Sequence, residues 1–364
     1  MPAALPAAVP APSTTSLPDG GETLTSPPPA LPAGPAAPLA QAHFGVTCAD
    51  VEVLTAERDQ NLLLRGDDGR AWVMKIANPG EAHAITDFQT AALCHLEQAA
   101  PDLPVPRIRR AVDGATRAVV TLPDGRRSLV RMLAWLDGRP LADAPRSPRQ
   151  RQNLAACLAG LGRAFAGFSH PGQDHYLQWD ISRLDRVAHL LPAIDDERIR
   201  AAVAGVLADF EARVRPALPG LRRQVIYNDL NLHNVLVDPA DPDRIAGIID
   251  FGDIIAAPLV NDLAVAASYQ FGADGNRGHA AEFVSAYHAR LPLMDEEIRL
   301  LPLLIEARLS LTLLITGYRA ARHPENARYI LRNNLSARAA LLELRSRTPG
   351  DNLDWITAAL EDRR

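Results

Sequence analysis

The stretch that decides the fold is residues 225–263, which read VIYNDLNLHNVLVDPADPDRIAGIIDFGDIIAAPLVNDL. It contains three short apolar runs that are rich in β-branched residues, and polar residues follow each run. The DPADPD segment between the second and third runs has the composition of a turn. The pattern therefore predicts a loop, a strand, a turn, a second strand and a second loop. Because such a hairpin brings its two polar loops to one end, Asp229, Asn234 and Asp250 are expected to converge on one site.

These three side chains have the chemistry that phosphoryl transfer needs. Carboxylates and an amide oxygen are hard ligands suited to Mg²⁺ beside substrate phosphates. A loop Asp, an Asn five residues on, and Asp-Phe-Gly after a strand match the pattern of kinase folds, where the loop Asp accepts the acceptor's hydroxyl proton. We predict Asp229 as the catalytic base and Asn234 and Asp250 as the metal ligands. The alternative is a polar turn on an ordinary hairpin, but both motifs at this spacing are specific.

Composition excludes several classes of protein. The 364 residues, 47% of them hydrophobic, suggest about two domains with a sizeable core. A net charge of −5 gives no indication of a nucleic-acid partner. Three cysteines without metal or disulfide spacing indicate a reducing compartment, which predicts a cytoplasmic protein. The apolar segment Leu300–Thr316 contains Glu306 and Arg308, so we predict a buried helix and no membrane partner.

The first 40 residues differ in composition from the rest. They hold 11 of the 30 prolines and neither lysine nor arginine. Without a basic segment before an apolar run they do not form a secretory signal. Residues 1–40 are therefore predicted to be a disordered, dispensable extension with polyproline character that packs on nothing.

Lys75 is the only lysine among 38 basic residues. It lies near the end of the β-like run at residues 71–76, where a kinase needs a compact ammonium for nucleotide phosphates. Arginine is larger and forked and does not replace lysine there. The alternative is an ordinary surface lysine. A loop at residues 55–61 has the right place to cover phosphates with backbone N–H groups, although it lacks glycines.

The chain separates into a strand-rich part and a helical part. Residues 81–99 have an apolar stripe that predicts a helix, and Ser147-Pro148 has the form of an N-cap and first turn. After that pair nearly everything is helical apart from the central hairpin. We predict an α+β, two-lobed fold with ligands at the interface. Its parts are the extension (1–40), an N-lobe (41–134) and a helical C-lobe (135–364).

The motifs resemble those of the aminoglycoside phosphotransferase and choline kinase superfamily, which has a protein-kinase-like bilobal fold. The resemblance rests on Tyr-Asn-Asp at residues 227–229 with Asn234, and on Asp-Phe-Gly-Asp at residues 250–253. Further stretches are similar to its hydroxylysine kinase-like branch, and the whole resemblance covers roughly residues 45–345. Those stretches are residues 57–61, 72–79, 253–267 and the hinge at 131–141.

The resemblance implies a small-molecule kinase that uses ATP or GTP with Mg²⁺. The acceptor would be a small amino alcohol or hydroxylated amino acid, and an aminoglycoside kinase or homoserine kinase is the alternative. The backbone of residues 132–135 would receive the purine. The implied nucleotide-binding residues are Lys75, Glu57, Arg58, Asp59, Gln60, Asn61, Met132, Leu133 and Trp135.

Two positions depart from the family pattern. Tyr227 stands where the family has histidine, and Gln89 stands where an acid normally pairs with the lysine. A neutral amide gives that ammonium a weaker bond, and Glu81 is the other candidate partner. A nucleotide-binding pseudokinase scaffold would rest on these departures. The intact Lys75 and Asp229 argue against it.

Five other polar or aromatic residues are candidates for acceptor binding. Asp253 would bind an ammonium group, and Asp262 would either do the same or cap a helix. His233 would contact substrate or support its loop. Trp179 and Asp180 would wall the acceptor site or belong to the core.

Overall fold

The computed structural model describes residues 26–56, 58–272 and 275–361. Its N-terminal region is an antiparallel sheet in the order β1-β2-β3-β6-β4, with β5 also paired to β6. Helix α2 (His83–Ala99) buries Phe88, Ala92 and Leu96. The strands are β1 (Cys48–Leu54), β2 (Gln60–Gly66), β3 (Ala71–Ile76), β4 (Ile108–Arg109), β5 (Ala118–Thr121) and β6 (Arg127–Ala134).

A helix precedes this sheet, where the composition had predicted disorder. Helix α1 (Ala33–Phe44) buries Ala36, Ala40 and Phe44, which are spaced by four and so form one stripe. The stripe shares a core cluster with apolar side chains of the sheet. Over residues 26–40 the prediction of a disordered extension is therefore wrong. Alanine adds little to the hydrophobicity of a segment, but its small side chain lets a helix pack closely against the sheet. Residues 1–25 lie outside the described residues.

The segment before α1 is tied to the sheet by hydrogen bonds. The Gln60 side chain accepts from the backbone N–H of Leu31 at 2.7 Å and donates to its carbonyl at 2.8 Å. Asn78 Nδ2 donates to the Ser26 carbonyl at 3.2 Å. Residues 26–32 thus contact the end of the 55–61 loop, at Gln60, and the segment that follows β3, at Asn78.

The C-terminal region is helical and is built around one long helix. Helix α7 (Asp295–Arg322) is buried without interruption from Leu300 to Thr316, as the sequence predicted. Ser147 caps α3, its side chain accepting from the backbone N–H of Gln150. No helix in the described part of the chain is long and apolar enough to cross a membrane. The other helices are α3 (Pro148–Ala164), a 3₁₀ segment (Ile181–Ala193), α4 (Glu197–Asp209), α5 (Leu259–Ser268), α6 (Gly278–His288), α8 (Ala327–Ile330), α9 (Asn334–Arg345) and α10 (Pro349–Glu361).

The predicted hairpin is confirmed. Strands β9 (Val235–Val237) and β10 (Ile245–Ile248) pair antiparallel, with β7 (Arg139–Pro140) on the other side of β9. Strands β8 (Arg223–Ile226) and β11 (Ile255–Pro258) form a second pair at the outer ends of the two polar loops. The Ile249 N–H donates to the Asn234 carbonyl at 2.9 Å, so the two loops leave the hairpin side by side. The α+β class is confirmed as well.

Candidate active site

Asp229 is held by the loop between β8 and β9. Its Oδ2 accepts from Asn234 Nδ2 at 2.6 Å, and its Oδ1 accepts from Asn231 Nδ2 at 3.0 Å. Asn231 also accepts from the backbone N–H groups of His233 and Asn234, which closes the loop on itself. Burial raises the pKa of Asp229 to about 7, the Asp253 carboxylate adds to this, and Arg308 opposes it.

A buried aspartate on α5 fixes the start of that loop. Asp262 accepts from the backbone N–H of Tyr227 at 3.2 Å and of Asn228 at 2.7 Å. Asn228 has a left-handed backbone, φ 65°, which non-glycine residues adopt only when their surroundings hold them there. Burial raises the pKa of Asp262 to about 6. Asp262 therefore neither caps its own helix nor is free for a substrate ammonium.

Tyr227 connects the two polar loops. Its hydroxyl donates to the Ile249 carbonyl, just before Asp250. Its ring lies edge-on to Phe251 with the centroids 5.0 Å apart. A tyrosine in this place can therefore support the loops as a hydrogen-bonding, space-filling side chain.

Lys75 and Asp250 lie together between the sheet and the hairpin. Lys75 Nζ is 3.5 Å from Asp250 Oδ1, and this ammonium is the main cause that lowers the pKa of Asp250. Asp250 has φ 59°, a left-handed backbone conformation that is strained for a non-glycine residue and that fixes the direction of its carboxylate. Its Oδ2 and Asn234 Oδ1 have no hydrogen-bond partner among the described residues. Two open hard oxygens fit a divalent cation that takes its remaining ligands from phosphates and water.

Neither expected partner contacts Lys75. Gln89 donates to the Gly252 carbonyl at 3.2 Å and accepts from Arg131 Nη2 at 2.9 Å. Glu81 accepts from the Thr86 hydroxyl at 2.9 Å, and burial raises its pKa. In this structure the acid that pairs with Lys75 is Asp250 itself. Gln89 suits its place because one amide serves a donor and an acceptor at once.

The 55–61 loop is held in place by contacts of its own side chains. Arg58 Nη2 is 2.8 Å from Asp253 Oδ1, an ion pair that crosses from the sheet to the metal loop. Asp59 accepts from the backbone N–H of Asn78, and the Gln60 amide is occupied by Leu31. Asn61 lies opposite Lys75 in the β2–β3 ladder. Glu57 lies outside the described residues.

The predicted purine-binding backbone lies at the end of β6 and the start of the connector. Met132 and Leu133 lie inside β6, which pairs with β3 on one side and β4 on the other. The Trp135 N–H donates to the Ala71 carbonyl at 3.0 Å. The Met132 and Leu133 backbones and the Trp135 N–H are therefore engaged in or beside the sheet, and purine binding by residues 132–135 stays a prediction.

The remaining candidates have structural contacts. Asp180 caps the 3₁₀ segment through the Ser182 N–H and pairs with Arg183 at 3.3 Å. His233 is half-buried in the catalytic loop, and burial lowers its pKa. Trp179 is partly buried beside an arginine of the predicted buried helix Leu300–Thr316.

That arginine is Arg308, in the middle of α7. Its side chain is 2% exposed, and Nη2 lies 3.4 Å from Asp229 Oδ1. Nη2 also donates to the Tyr269 hydroxyl at 3.1 Å, and Nη1 donates to the Trp179 carbonyl at 3.3 Å. The guanidinium lies 5.0 Å from the Trp179 ring centroid and 5.8 Å from that of Tyr269. A buried arginine within an apolar run needs a partner, so the position of Arg308 in the sequence was the signal that could have indicated a buried contact here.

A two-lobed fold with such a site at the hairpin defines a phosphotransferase that acts on hydroxyl groups of small molecules. The chain belongs to the phosphotransferase enzyme family, APH, whose model matches residues 50–300. This confirms the family resemblance and the predicted class of enzyme.

Relatives and solved structures agree with that assignment. The chain is 26% identical to hydroxylysine kinase of Mus musculus over 339 residues, covering 86% of this chain and 89% of the relative. Amicoumacin kinase hAmiN, solved in complex with AMP-PNP, Ca²⁺ and Ami, superposes with a TM-score of 0.62 at 14% identity, covering 85% of this chain and 94% of that one. A microcompartment-associated aminopropanol kinase gives 0.62 at 19% identity, covering 88% and 98%. At these identities the two structures establish the fold alone.

Proposed function

We propose that the protein transfers the terminal phosphoryl group of ATP or GTP to a hydroxyl of a small amino alcohol or hydroxylated amino acid. The observation that carries this is the convergence of two contacts, Lys75 with Asp250 and Asn234 with Asp229, at the mouth of one hairpin. The match to hydroxylysine kinase over most of both chains supports the acceptor class.

The roles follow from the donors and acceptors available. Lys75 binds nucleotide phosphates, and the segment with Arg58 covers them. Asn234 Oδ1 and Asp250 would hold Mg²⁺, which would offset the phosphate charge and align the transferred group. The acceptor hydroxyl oxygen forms a bond to the terminal phosphorus as the bond to the nucleoside diphosphate oxygen breaks. The hydroxyl proton passes to Asp229.

Asp229 depends on its neighbours for this task. Asn231 and Asn234 hold both of its oxygens, so the carboxylate faces the acceptor in a fixed orientation. A pKa raised towards neutrality by burial makes it a better base than an exposed aspartate. Most of the catalysis is positioning and electrostatics, as expected for phosphoryl transfer.

The test is an acceptor screen with Asp229→Asn beside the wild type. The wild type is assayed for nucleoside diphosphate release with ATP and GTP against amino alcohols, hydroxy amino acids and aminoglycosides. Asp229→Asn keeps size and one acceptor oxygen, so it should bind Mg-nucleotide near normally yet transfer phosphate at least about a hundredfold more slowly. Asp102→Asn, at an exposed aspartate, is the control.

Two outcomes would contradict these roles. If the wild type binds nucleotide but phosphorylates no acceptor, the pseudokinase alternative gains. If Asp229→Asn turns over as fast as the wild type, Asp229 is not the base.

A further inference from the structure

Arg308 occupies the side of Asp229 that faces away from the proposed metal ligand. Asp229 Oδ2 contacts Asn234, whereas Oδ1 contacts Asn231 and Arg308. An acceptor hydroxyl that reaches Asp229 opposite the nucleotide therefore approaches close to this guanidinium. The other cations of the site, Arg58 and Lys75, lie in the N-terminal sheet region, but Arg308 comes from the C-terminal helical core.

The guanidinium retains hydrogen-bonding capacity. Arginine has five N–H donors, and three contacts are made, to Trp179, Asp229 and Tyr269. Nε is buried and has no partner among the described residues. A buried charged group without its full set of acceptors costs free energy, so an additional acceptor oxygen here is favourable.

The surroundings hold the guanidinium in one place. Its stem projects from the interior of α7, and the rings of Trp179 and Tyr269 lie within 6 Å of it. Aromatic faces attract a cation and restrict its plane. A rigid planar fork recognises a carboxylate better than a flexible ammonium does.

The charges nearby disfavour a purely cationic acceptor. Asp253, a predicted ammonium ligand, is paired with Arg58, and Asp180, a predicted wall residue of the acceptor site, is paired with Arg183. A substrate with only amino groups would lie near the Arg308 cation, and neither of these two carboxylates would be free to bind its ammonium. A substrate that also bears a carboxylate would meet a complementary charge.

We propose that Arg308 binds a carboxylate of the acceptor, so that the preferred substrates are hydroxylated amino acids and not amino alcohols or aminoglycosides. This rests on the proposed phosphotransferase function and refines its acceptor. Arg308 is then a specificity-determining residue in addition to its contact with the base.

The experiment compares acceptors that differ only in the carboxylate. Homoserine, threonine and hydroxylysine are each paired with their decarboxylated amine, and kcat/KM is measured for the wild type, Arg308→Gln and Arg308→Lys. The control is Arg151→Gln, which removes an equally buried arginine that pairs with Glu282 between α3 and α6. Circular dichroism and nucleotide titration check that each variant is folded.

The wild type should prefer the carboxylate-bearing member of at least one pair. Arg308→Gln should lower kcat/KM for that member roughly 10- to 100-fold more than for its decarboxylated partner. Arg308→Lys, which keeps the charge without the fork, should shift the ratio less in the same direction and serves if the glutamine variant does not fold. Arg151→Gln should leave the ratio unchanged.

The contrary results are distinct. An equal fall for both members would mean that Arg308 only positions Asp229, and an unchanged ratio would remove it from substrate recognition; either overturns the proposal. A wild type that phosphorylates only the decarboxylated amines would overturn carboxylate binding while the kinase function stands. A wild type that phosphorylates neither series would overturn both.

Discussion

The ion pair between Arg58 and Asp253 offers a quantitative test of how the phosphate-covering segment is held. We expect removal of either partner, by Arg58→Gln or Asp253→Asn, to loosen that segment and weaken nucleotide binding. The pair has a separation of 2.8 Å, but the Arg58 side chain is 36% exposed and the Asp253 side chain 12%. Fully exposed pairs contribute about 0.2–1 kcal/mol, and well-buried charged hydrogen bonds about 1.5–3 kcal/mol.

We expect a coupling free energy of about 1–2 kcal/mol between Arg58 and Asp253, which lies between those two ranges. It corresponds to roughly a 5- to 30-fold change in the Kd of Mg-nucleotide. The assay is a double-mutant cycle with calorimetric or fluorescence titration of the two single variants and the double variant. Since the single variants remove the same contact, the double variant should bind little worse than either.

The control cycle uses Arg65→Gln and Asp50→Asn, an exposed pair on β1 and β2 with 3.3 Å between its atoms. Its coupling should be near zero for nucleotide binding. Additive losses at Arg58 and Asp253 would show that the pair does not act as a unit. A rise in acceptor KM alone for Asp253→Asn would restore Asp253 as an ammonium ligand.

Three further changes test other parts of the structure. Phe44→Ala should destabilise the protein by about 3–5 kcal/mol in a denaturant titration, because it leaves a cavity under α1; an unchanged midpoint would mean that α1 does not pack there. Lys75→Arg should reduce nucleotide affinity or rate although the charge is kept, and normal turnover would make Lys75 an ordinary surface residue. Asp250→Asn should weaken the Mg²⁺ dependence of nucleotide binding in calorimetry, whereas an unaltered dependence would put the metal elsewhere.

Local sequence patterns were sufficient for the hairpin and its two loops. The run lengths, the turn composition and the spacing of Asp229, Asn234 and Asp250 are all properties of a continuous stretch. The Ser147 cap is also local, since its partner is three residues away. The α+β class and the two-part layout follow from such local signals added along the chain.

Contacts between distant elements could not be predicted in this way. The family pattern has an acid at the position of Gln89, but the Gln89 amide is held by hydrogen bonds to Arg131 and Gly252, which come from other parts of the chain. Arg308 was concealed because α7 is apolar on all sides, so periodicity singles out no face. The α1 stripe was missed because small side chains give a weak signal until the surface opposite them is known.

Because Lys75 is the only lysine in the sequence, chemical labelling of lysine reports directly on the proposed nucleotide site. An amine-directed acylating reagent finds a single side-chain target in this sequence, and Lys75 is 16% exposed beside Asp250. With arginine at the other basic positions, trypsin would release the adduct on one peptide, residues 71–107. Protection of that peptide by ATP, GTP or neither would then identify the donor by mass spectrometry, without any acceptor being known.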